Sequence, residues 1–246
     1  MLFYLVQANF VVIALVVFNF VFLATSRTMD KAVSRIFMVA NTFVAILVVA
    51  DSTDYYFESQ KVLNSARYIT SAIGYTLRPG VILLTVYNLR NRTTGEKKYT
   101  YVPFLINGIL AFMSIFNKIM FGFDENNEFY RGPLGWLPFA VSAFYLIMLS
   151  IRVLGKRHVT NKNEYAVIYT ILCGAVVSTA MESIFKFKFM NNGVSVISLI
   201  FFYFFLYSER SKKDAMTNAF NRHTYNNDIE GLKNKRFLVV SVDINN

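Results

Sequence analysis

Seven apolar segments, separated by short charged stretches, dominate the first 207 residues of this chain. A helix that crosses a bilayer needs roughly 20 apolar residues, and the segments come close to that length: Leu2–Ala24, Val33–Ala50, Tyr68–Leu89, Tyr99–Lys118, Leu134–Ile151, Tyr165–Ile184 and Val194–Tyr207. The whole chain is 55% hydrophobic and only 16% charged, which is more apolar than an ordinary soluble domain. The pattern therefore predicts a mainly α fold, a polytopic bundle of seven transmembrane helices over residues 1–207.

The charges between these segments predict the orientation of the bundle. With the N-terminus outside, the inner loops carry eleven basic residues: Arg27, Lys31, Arg35, Arg90, Arg92, Lys97, Lys98, Arg152, Lys156, Arg157 and Lys162. The outer loops then carry six, Lys61, Arg67, Lys118, Arg131, Lys186 and Lys188, together with the acids Asp51, Asp54, Glu58, Asp124, Glu125 and Glu128. By the positive-inside rule we expect a multi-pass protein of the plasma (bacterial inner) membrane with a cytoplasmic C-terminus. The first segment lacks a charged n-region and a cleavage site, so we interpret it as a retained helix.

Several other functional classes fit the sequence poorly. The formal charge is +10, but the basic residues lie between apolar segments instead of on one folded face, so no nucleic-acid partner is predicted. One cysteine allows neither a disulfide framework nor a Cys/His metal cluster. The seventh segment has no lysine for a retinal Schiff base, which weakens a light-driven pump. Neither His158 nor His223 has the helical context of a kinase phosphoacceptor, and no G-x-x-x-x-G-K or G-x-G-x-x-G motif occurs.

Arg78 is the one charged residue near the middle of an apolar segment. A charge at that depth costs at least about 2.5 kcal/mol on insertion scales, so it usually faces the bundle interior with a partner. Pro79 follows it, removes a helix hydrogen bond and predicts a kink. Glu182, near the outer end of the sixth segment, leans toward Arg78 if side chains tilt toward their helix N-termini. Arg78 and Glu182 are thus a candidate intramembrane ligand or coupling site, the alternative being that Arg78 snorkels or pairs with main-chain carbonyls.

Asparagines recur in or near the segments, where interhelical hydrogen bonds are their commonest use. We assign them to packing: Asn9, Asn19, Asn41, Asn107 and Asn117. The outer stretch FGFDENNEFYRGPLGW mixes acids with aromatic residues, and it fits either the mouth of a ligand site or an ordinary solvated loop.

The chain changes character after residue 207. Residues 208–213 form a charged linker without proline or glycine, so the seventh helix can continue through it. Residues 214–246 then predict a soluble α/β domain, with DAMTNAFNR at the start of a helix and RFLVVSVDINN as a buried strand that ends in Asp243. Ligands of α/β domains bind at the carboxyl ends of strands, and Mg²⁺ prefers one or two carboxylates together with phosphate oxygens. Asp243 is therefore a candidate metal ligand; its alternative role is to cap a turn.

These two motifs, at their spacing, resemble the beginning of a GGDEF domain, the diguanylate cyclase family. The family pattern is similar to D-x-L-T-x-L-x-N-R, where this chain has Asp214, Met216, Thr217, Asn221 and Arg222, followed by an apolar strand that ends D-x-D or D-x-N. Asn221 and Arg222 correspond to scaffold residues that cap and pin the first helix instead of catalysing the reaction.

The resemblance implies several functional features. Asp243 and the carbonyl of Ile244 would bind Mg²⁺, GTP would be the substrate, and a homodimer would bring two GTP molecules together. The part ahead of the domain resembles, more weakly, the multi-helix sensory regions found there in bacteria, which leaves an external or intramembrane ligand to be identified. The GGDEF loop itself would follow Asn246, so residues 214–246 would be a truncated start of the domain and inactive alone.

The sequence therefore predicts a membrane-bound sensor diguanylate cyclase that condenses two GTP into cyclic di-GMP under control of the transmembrane region. The alternative is a non-enzymatic membrane receptor whose GGDEF-like domain is degenerate and only binds nucleotide.

Overall fold

A computed structural model describes residues 2–26, 29–60, 64–88, 98–154, 162–185, 187–214, 216–217 and 219–231, with single positions at 236, 238 and 240. It divides into two compact units, residues 1–203 and 204–246. The described residues are mainly helical, as predicted from the sequence.

Eight α-helices and one two-stranded sheet occur within the described ranges. The helices are α1 (Leu2–Thr25), α2 (Lys31–Glu58), α3 (Ala66–Asn88), α4 (Val102–Asn117), α5 (Leu137–Leu154), α6 (Lys162–Ile184), α7 (Met190–Ser211) and α8 (Arg222–Gly231). A 3₁₀ turn, Lys98–Tyr101, precedes α4. The sheet is an antiparallel hairpin of β1 (Phe121–Phe123) and β2 (Phe129–Arg131) between α4 and α5.

Each of the seven predicted apolar segments coincides with a helix, and four of these helices are long and apolar enough to cross a membrane. They are Lys31–Glu58, Ala66–Asn88, Tyr99–Asn117 (with part of its 3₁₀ turn) and Met190–Ser211. Shorter apolar stretches occupy the other three, at Asn9–Thr25, Leu137–Val153 and Ile168–Ile184. The structure thus supports four spans, and the prediction of seven stays a prediction.

The second helix is longer than its apolar segment, which ended at Ala50. It continues through two more turns to Glu58, so that Asp51 and Asp54 are helical instead of lying in an outer loop. The sequence interpretation stopped at the first acid because a lipid-facing helix excludes carboxylates. Within a bundle a carboxylate is accommodated when it has a partner, and both aspartates have one.

Interhelical amide contacts confirm the packing role assigned to Asn9, Asn19, Asn41 and Asn107. Asn117 is instead exposed, and its Oδ1 accepts from the nearby Ile119 N at 3.2 Å. Asn41 on α2 donates to the Val16 carbonyl of α1 at 2.9 Å and accepts from Asn19 at 3.1 Å. Asn9 donates to Ser52 Oγ at 3.2 Å. Such bonds fix the register of α1 against α2 where apolar packing alone discriminates poorly between registers.

Helix α3 is continuous through Pro79, and α4 satisfies the backbone group that the proline leaves without its helical partner. Proline has no N–H, so the Tyr75 carbonyl, four residues earlier, loses its helical donor. The fully buried Asn107 of α4 donates Nδ2 to that carbonyl at 2.8 Å. Next to it, a Cβ at Gly80 would lie 2.9 Å from the Phe104 ring and 3.1 Å from the Phe43 ring. Proline, glycine and asparagine together let α2 and α4 pack closely around the middle of α3.

The stretch FGFDENNEFYRGPLGW begins with the hairpin β1–β2. Phe121 and Phe123 are buried among aromatic side chains, with the ring of Phe123 edge-on to Tyr68 at 5.0 Å. Asn127, at the tip, has a left-handed backbone (φ 64°), and its Nδ2 donates to the Phe57 and Gln60 carbonyls at 2.9 and 2.6 Å. The residue pattern predicts no strand here, because three-residue strands held by tertiary contacts leave little periodicity.

Candidate functional site

Arg78 of α3 forms an ion pair with Asp51 of α2. Its Nη2 donates to Oδ1 and Oδ2 of Asp51 at 2.9 and 2.8 Å. Gly74, one turn before Arg78, makes room for the guanidinium, because a Cβ there would lie 3.1 Å from Arg78 Nη1. The predicted direct pairing of Arg78 with Glu182 is therefore corrected: the hydrogen-bonded carboxylate is Asp51, which α2 places opposite α3 because the helix does not end at Ala50.

Asn192, in the first turn of α7, joins this pair. Its Nδ2 donates to Asp51 Oδ2 at 2.9 Å, and the residue is 1% exposed. Asp51 is thus a shared acceptor for α3 and α7. In this group of three residues, two buried atoms have no hydrogen-bond partner within the described part of the chain, Arg78 Nε and Asn192 Oδ1.

Glu182 of α6 binds the same turn of α7 from another side. Its carboxylate accepts from the Asn191 backbone N at 2.8 Å and from Asn191 Nδ2 at 2.6 Å. Ser178 Oγ donates to Asn191 Oδ1 at 2.7 Å, so both the nitrogen and the oxygen of the Asn191 amide are hydrogen-bonded. A carboxylate at a helix N-terminus also interacts favourably with the helix dipole.

We call Asp51, Arg78, Glu182, Asn191 and Asn192 the polar cluster. Glu182 attracts Arg78 electrostatically without bonding to it, so the two residues predicted from the sequence belong to one site although they do not touch. With two carboxylates and one guanidinium, the formal charge of the cluster is negative. It connects α2, α3, α6 and α7 through hydrogen bonds between residues that lie 9 to 141 positions apart in the sequence.

A second ion pair lies nearer the end of α2 and the start of α3, and the sequence analysis missed it because Arg67 was assigned to an outer loop. Arg67 Nε donates to Asp54 Oδ1 at 3.0 Å, and its guanidinium lies 4.3 Å from the Phe123 ring centroid. Its Nη1 also donates to Asn127 Oδ1 at 2.9 Å, which fastens the hairpin to α3. Arg67 and Arg78 are eleven residues apart, about 16 Å along α3, whereas Asp51 and Asp54 are three residues apart, about 5 Å along α2. Because these spacings are unequal, the sequence carried no spacing signal for the two pairs.

In the second unit, the polar residues of the DAMTNAFNR motif form a hydrogen-bonded turn instead of a helix start. Asp214 Oδ1 accepts from the backbone N atoms of Met216 and Thr217 at 3.0 and 2.9 Å, and from Thr217 Oγ1 at 3.0 Å. The backbone closes the turn, with Asp214 N donating to the Ala219 carbonyl at 2.8 Å. The amide and hydroxyl of Thr217, followed by the Met216 amide, lower the pKa of the exposed Asp214 carboxyl below its ordinary value.

Asn221 connects this turn to α8. Its Oδ1 accepts from Thr224 N at 2.9 Å, the bond expected of a residue at a helix N-terminus. Its Nδ2 donates to the Ser211 carbonyl at 2.7 Å. The predicted capping role of Asn221 is confirmed, whereas the helix begins at Arg222 and not at Asp214.

The predicted magnesium ligands, Asp243 and Ile244, lie outside the described residues. So does most of the predicted strand, of which only Arg236, Leu238 and Val240 are described, with Leu238 and Val240 exposed. Within the described ranges, no group of three or more His, Cys, Asp or Glu side chains is arranged to hold a metal ion. The metal assignment therefore stays a prediction.

Comparisons with protein-family models, curated proteins and solved structures find no match for this chain.

Proposed function

We propose that the chain comprises the membrane sensory region and the opening of the catalytic domain of a diguanylate cyclase, which condenses two GTP into cyclic di-GMP. The observation that carries the proposal is the turn at the start of the second unit. Three polar residues that match the GGDEF pattern, Asp214, Thr217 and Asn221, are the ones whose side chains hold that turn.

The spacing of these residues has a physical reason, which argues against a chance match to the GGDEF pattern. Asp214 can accept a hydrogen bond from the Thr217 amide because Thr217 follows it by three positions in a tight turn, and Asn221 can accept from Thr224 N because it stands directly before α8. A motif whose members each make a bond that depends on their position is a stronger basis for resemblance than composition alone.

In this proposal the membrane region has seven spans, with the N-terminus outside and the second unit in the cytoplasm, where GTP is available. The four helices that satisfy the length and apolarity requirements support a polytopic membrane protein. The loop charges support the direction of insertion. The short apolar stretches of α1, α5 and α6 supply the other three spans.

The polar cluster is the proposed sensing site, and α7 is the proposed element of signal transmission. Asn191 and Asn192 on its first turn bind Glu182 and Asp51, and the helix is continuous to Ser211, three residues before Asp214. Charged groups inside a membrane bundle commonly mark functional sites because apolar side chains would be cheaper for packing alone.

In the complete domain, Asp243 and the carbonyl of Ile244 would hold Mg²⁺, which neutralises charge on the GTP phosphates. A ribose hydroxyl of each GTP attacks the α-phosphate of the other, so each new phosphodiester bond replaces an α–β phosphoanhydride bond and releases pyrophosphate. This reaction depends on positioning and charge neutralisation. An aspartate that holds a cation fits this chemistry without a covalent nucleophile. Two domains, each with one GTP, make the working unit a homodimer.

The test measures cyclic di-GMP formation from GTP and Mg²⁺ by the complete protein, together with its Asp243→Asn variant. The substitution keeps side-chain size but removes the negative charge, so turnover should fall on the order of a thousandfold while thermal unfolding stays unchanged. Wild-type turnover in the variant would end the metal assignment. Nucleotide binding without any product from the wild-type protein would instead identify a non-enzymatic receptor.

A further inference from the structure

We propose that the polar cluster binds a small uncharged molecule that presents a hydrogen-bond acceptor and a donor on neighbouring groups, as a carboxamide does. The inference rests on the proposed sensory role of the membrane region and specifies the chemistry of its ligand.

Arg78 supplies the donor side of the site. A guanidinium has five N–H groups, and Asp51 occupies only Nη2. Nε is buried and has no partner among the described residues. A buried donor without an acceptor is unfavourable, so a ligand carbonyl or hydroxyl oxygen that reaches Nε removes that penalty.

Asn192 supplies the acceptor side. Its amide is almost completely buried and is oriented by the bond from Nδ2 to Asp51 Oδ2. Its Oδ1 has no partner within the described ranges. Because Asn192 Nδ2 and Arg78 Nη2 both donate to the same oxygen of Asp51, the unused donor and the unused acceptor belong to adjacent groups. One small ligand can engage both.

The net charge of the polar cluster determines which ligand charge is favourable. Asp51 and Glu182 contribute two negative charges against the single positive charge of Arg78, so an anion would be repelled in this low-dielectric environment. A simple organic cation avoids that repulsion but offers Arg78 no acceptor. An uncharged donor–acceptor molecule satisfies both atoms without adding charge.

The ion pair is partly exposed, but the two unpartnered atoms are not. The Arg78 side chain is 34% exposed and that of Asp51 is 20% exposed, whereas Arg78 Nε and Asn192 Oδ1 are buried. A ligand therefore approaches beside the exposed part of the guanidinium and displaces the side chains that cover these two atoms.

The experiment uses three probes of nearly equal shape and different charge: acetamide, acetate and acetamidinium. The 246-residue chain, labelled with [¹⁵N]arginine in neutral-detergent micelles, gives an Nε–H signal for Arg78 that is identified by its loss in Arg78→Lys. We expect acetamide to move this signal saturably, and acetate and acetamidinium to bind at least about tenfold more weakly. Acetate binding as tightly as acetamide, or no saturable shift with acetamide, would overturn the proposal.

Variants locate the binding, with saturation transfer from the probe methyl group as the readout. Arg78→Lys keeps the charge opposite Asp51 but removes Nε, and Asn192→Ala removes the acceptor; each should abolish the acetamide signal in protein that remains monodisperse. Arg67→Lys is the matched control, because Arg67 lies on the same helix and its Nε already donates to Asp54. An acetamide signal that survives in Arg78→Lys would contradict the assignment. Since no readout depends on cyclase activity, failure here leaves the proposed enzymatic function to its own test.

Discussion

Asn107 should matter to stability only because Pro79 is present. The amide donates to the Tyr75 carbonyl, which Pro79 deprives of its helical N–H. Asn107→Leu would leave that buried carbonyl without a donor, at a cost of about 1–3 kcal/mol in general. In membrane bundles such bonds average nearer 0.6 kcal/mol and reach about 1.7. Asn107 Oδ1 itself has no partner among the described residues, so its removal returns part of the loss. We therefore expect a destabilisation of about 1 kcal/mol.

Pro79→Ala should remove this dependence. Alanine restores a backbone N–H four residues after Tyr75, so the carbonyl regains its helical partner. In the Pro79→Ala background, Asn107→Leu should change the free energy of unfolding by close to zero. The difference between the two backgrounds, about 1 kcal/mol, is the coupling energy of the Asn107–Pro79 pair and does not depend on how alanine affects stability by itself.

The assay is an unfolding titration with SDS in mixed micelles, followed by the fluorescence of Trp136, the single tryptophan. Asn41→Leu is the matched control, because Asn41 donates to the Val16 carbonyl, which also has a helical donor within α1. Its cost should be the same with and without Pro79. If Asn107→Leu cost the same in both backgrounds, the explanation of Asn107 as the partner of a proline-orphaned carbonyl would be refuted.

Three further predictions address topology, packing and the C-terminal turn. Cysteines at Ser59 and Asn126 should react with an impermeant thiol reagent on intact cells and one at Thr94 should not; the reverse pattern would invert the membrane orientation. Gly80→Ala should destabilise by about 1–3 kcal/mol, since its Cβ would press on aromatic rings of two neighbouring helices, and unchanged SDS unfolding would contradict that packing. The lowered pKa of Asp214 means that the turn gains stability above the ordinary carboxyl value of 3.8 and loses it as pH falls through the folded pKa; an NMR titration with an unshifted carboxyl would disprove it.

The apolar runs were sufficient to locate the helices of the membrane region but not to find where α2 ends. Hydropathy treats every carboxylate as incompatible with a span, whereas Asp51 and Asp54 are accommodated because each faces an arginine of α3. An ion pair between helices depends on both helices, so hydropathy calculated for one segment at a time cannot predict it. The same limit explains why Glu182 was chosen over Asp51 as the partner of Arg78.

The C-terminal turn was easier to predict from the sequence than the end of α2, because its hydrogen bonds join residues that are close together in the chain. Asp214, Thr217 and Asn221 lie within eight residues of one another, so their spacing alone carries the information about the turn. The sequence analysis predicted the capping role of Asn221 correctly and misplaced the start of α8. The β1–β2 hairpin escaped prediction because its anchors, Arg67 and the buried face against Tyr68, come from a distant helix.

The polar cluster also limits how a ligand there could act. Asn191 and Asn192 are adjacent on α7, yet one binds Glu182 of α6 and the other binds Asp51 of α2. A change at either carboxylate therefore acts on the same helical turn. A ligand shifts an equilibrium only by its difference in affinity between two states, so a molecule that binds Arg78 equally well whether or not Asn192 remains bonded to Asp51 transmits nothing. A signalling ligand must therefore either displace Asn192 from Asp51 or bind more tightly when the bond between Asn192 and Asp51 is present. For this reason Asn192→Ala should remove both binding of the ligand and the response to it, whereas a substitution that only weakens binding would leave a full response at higher ligand concentration.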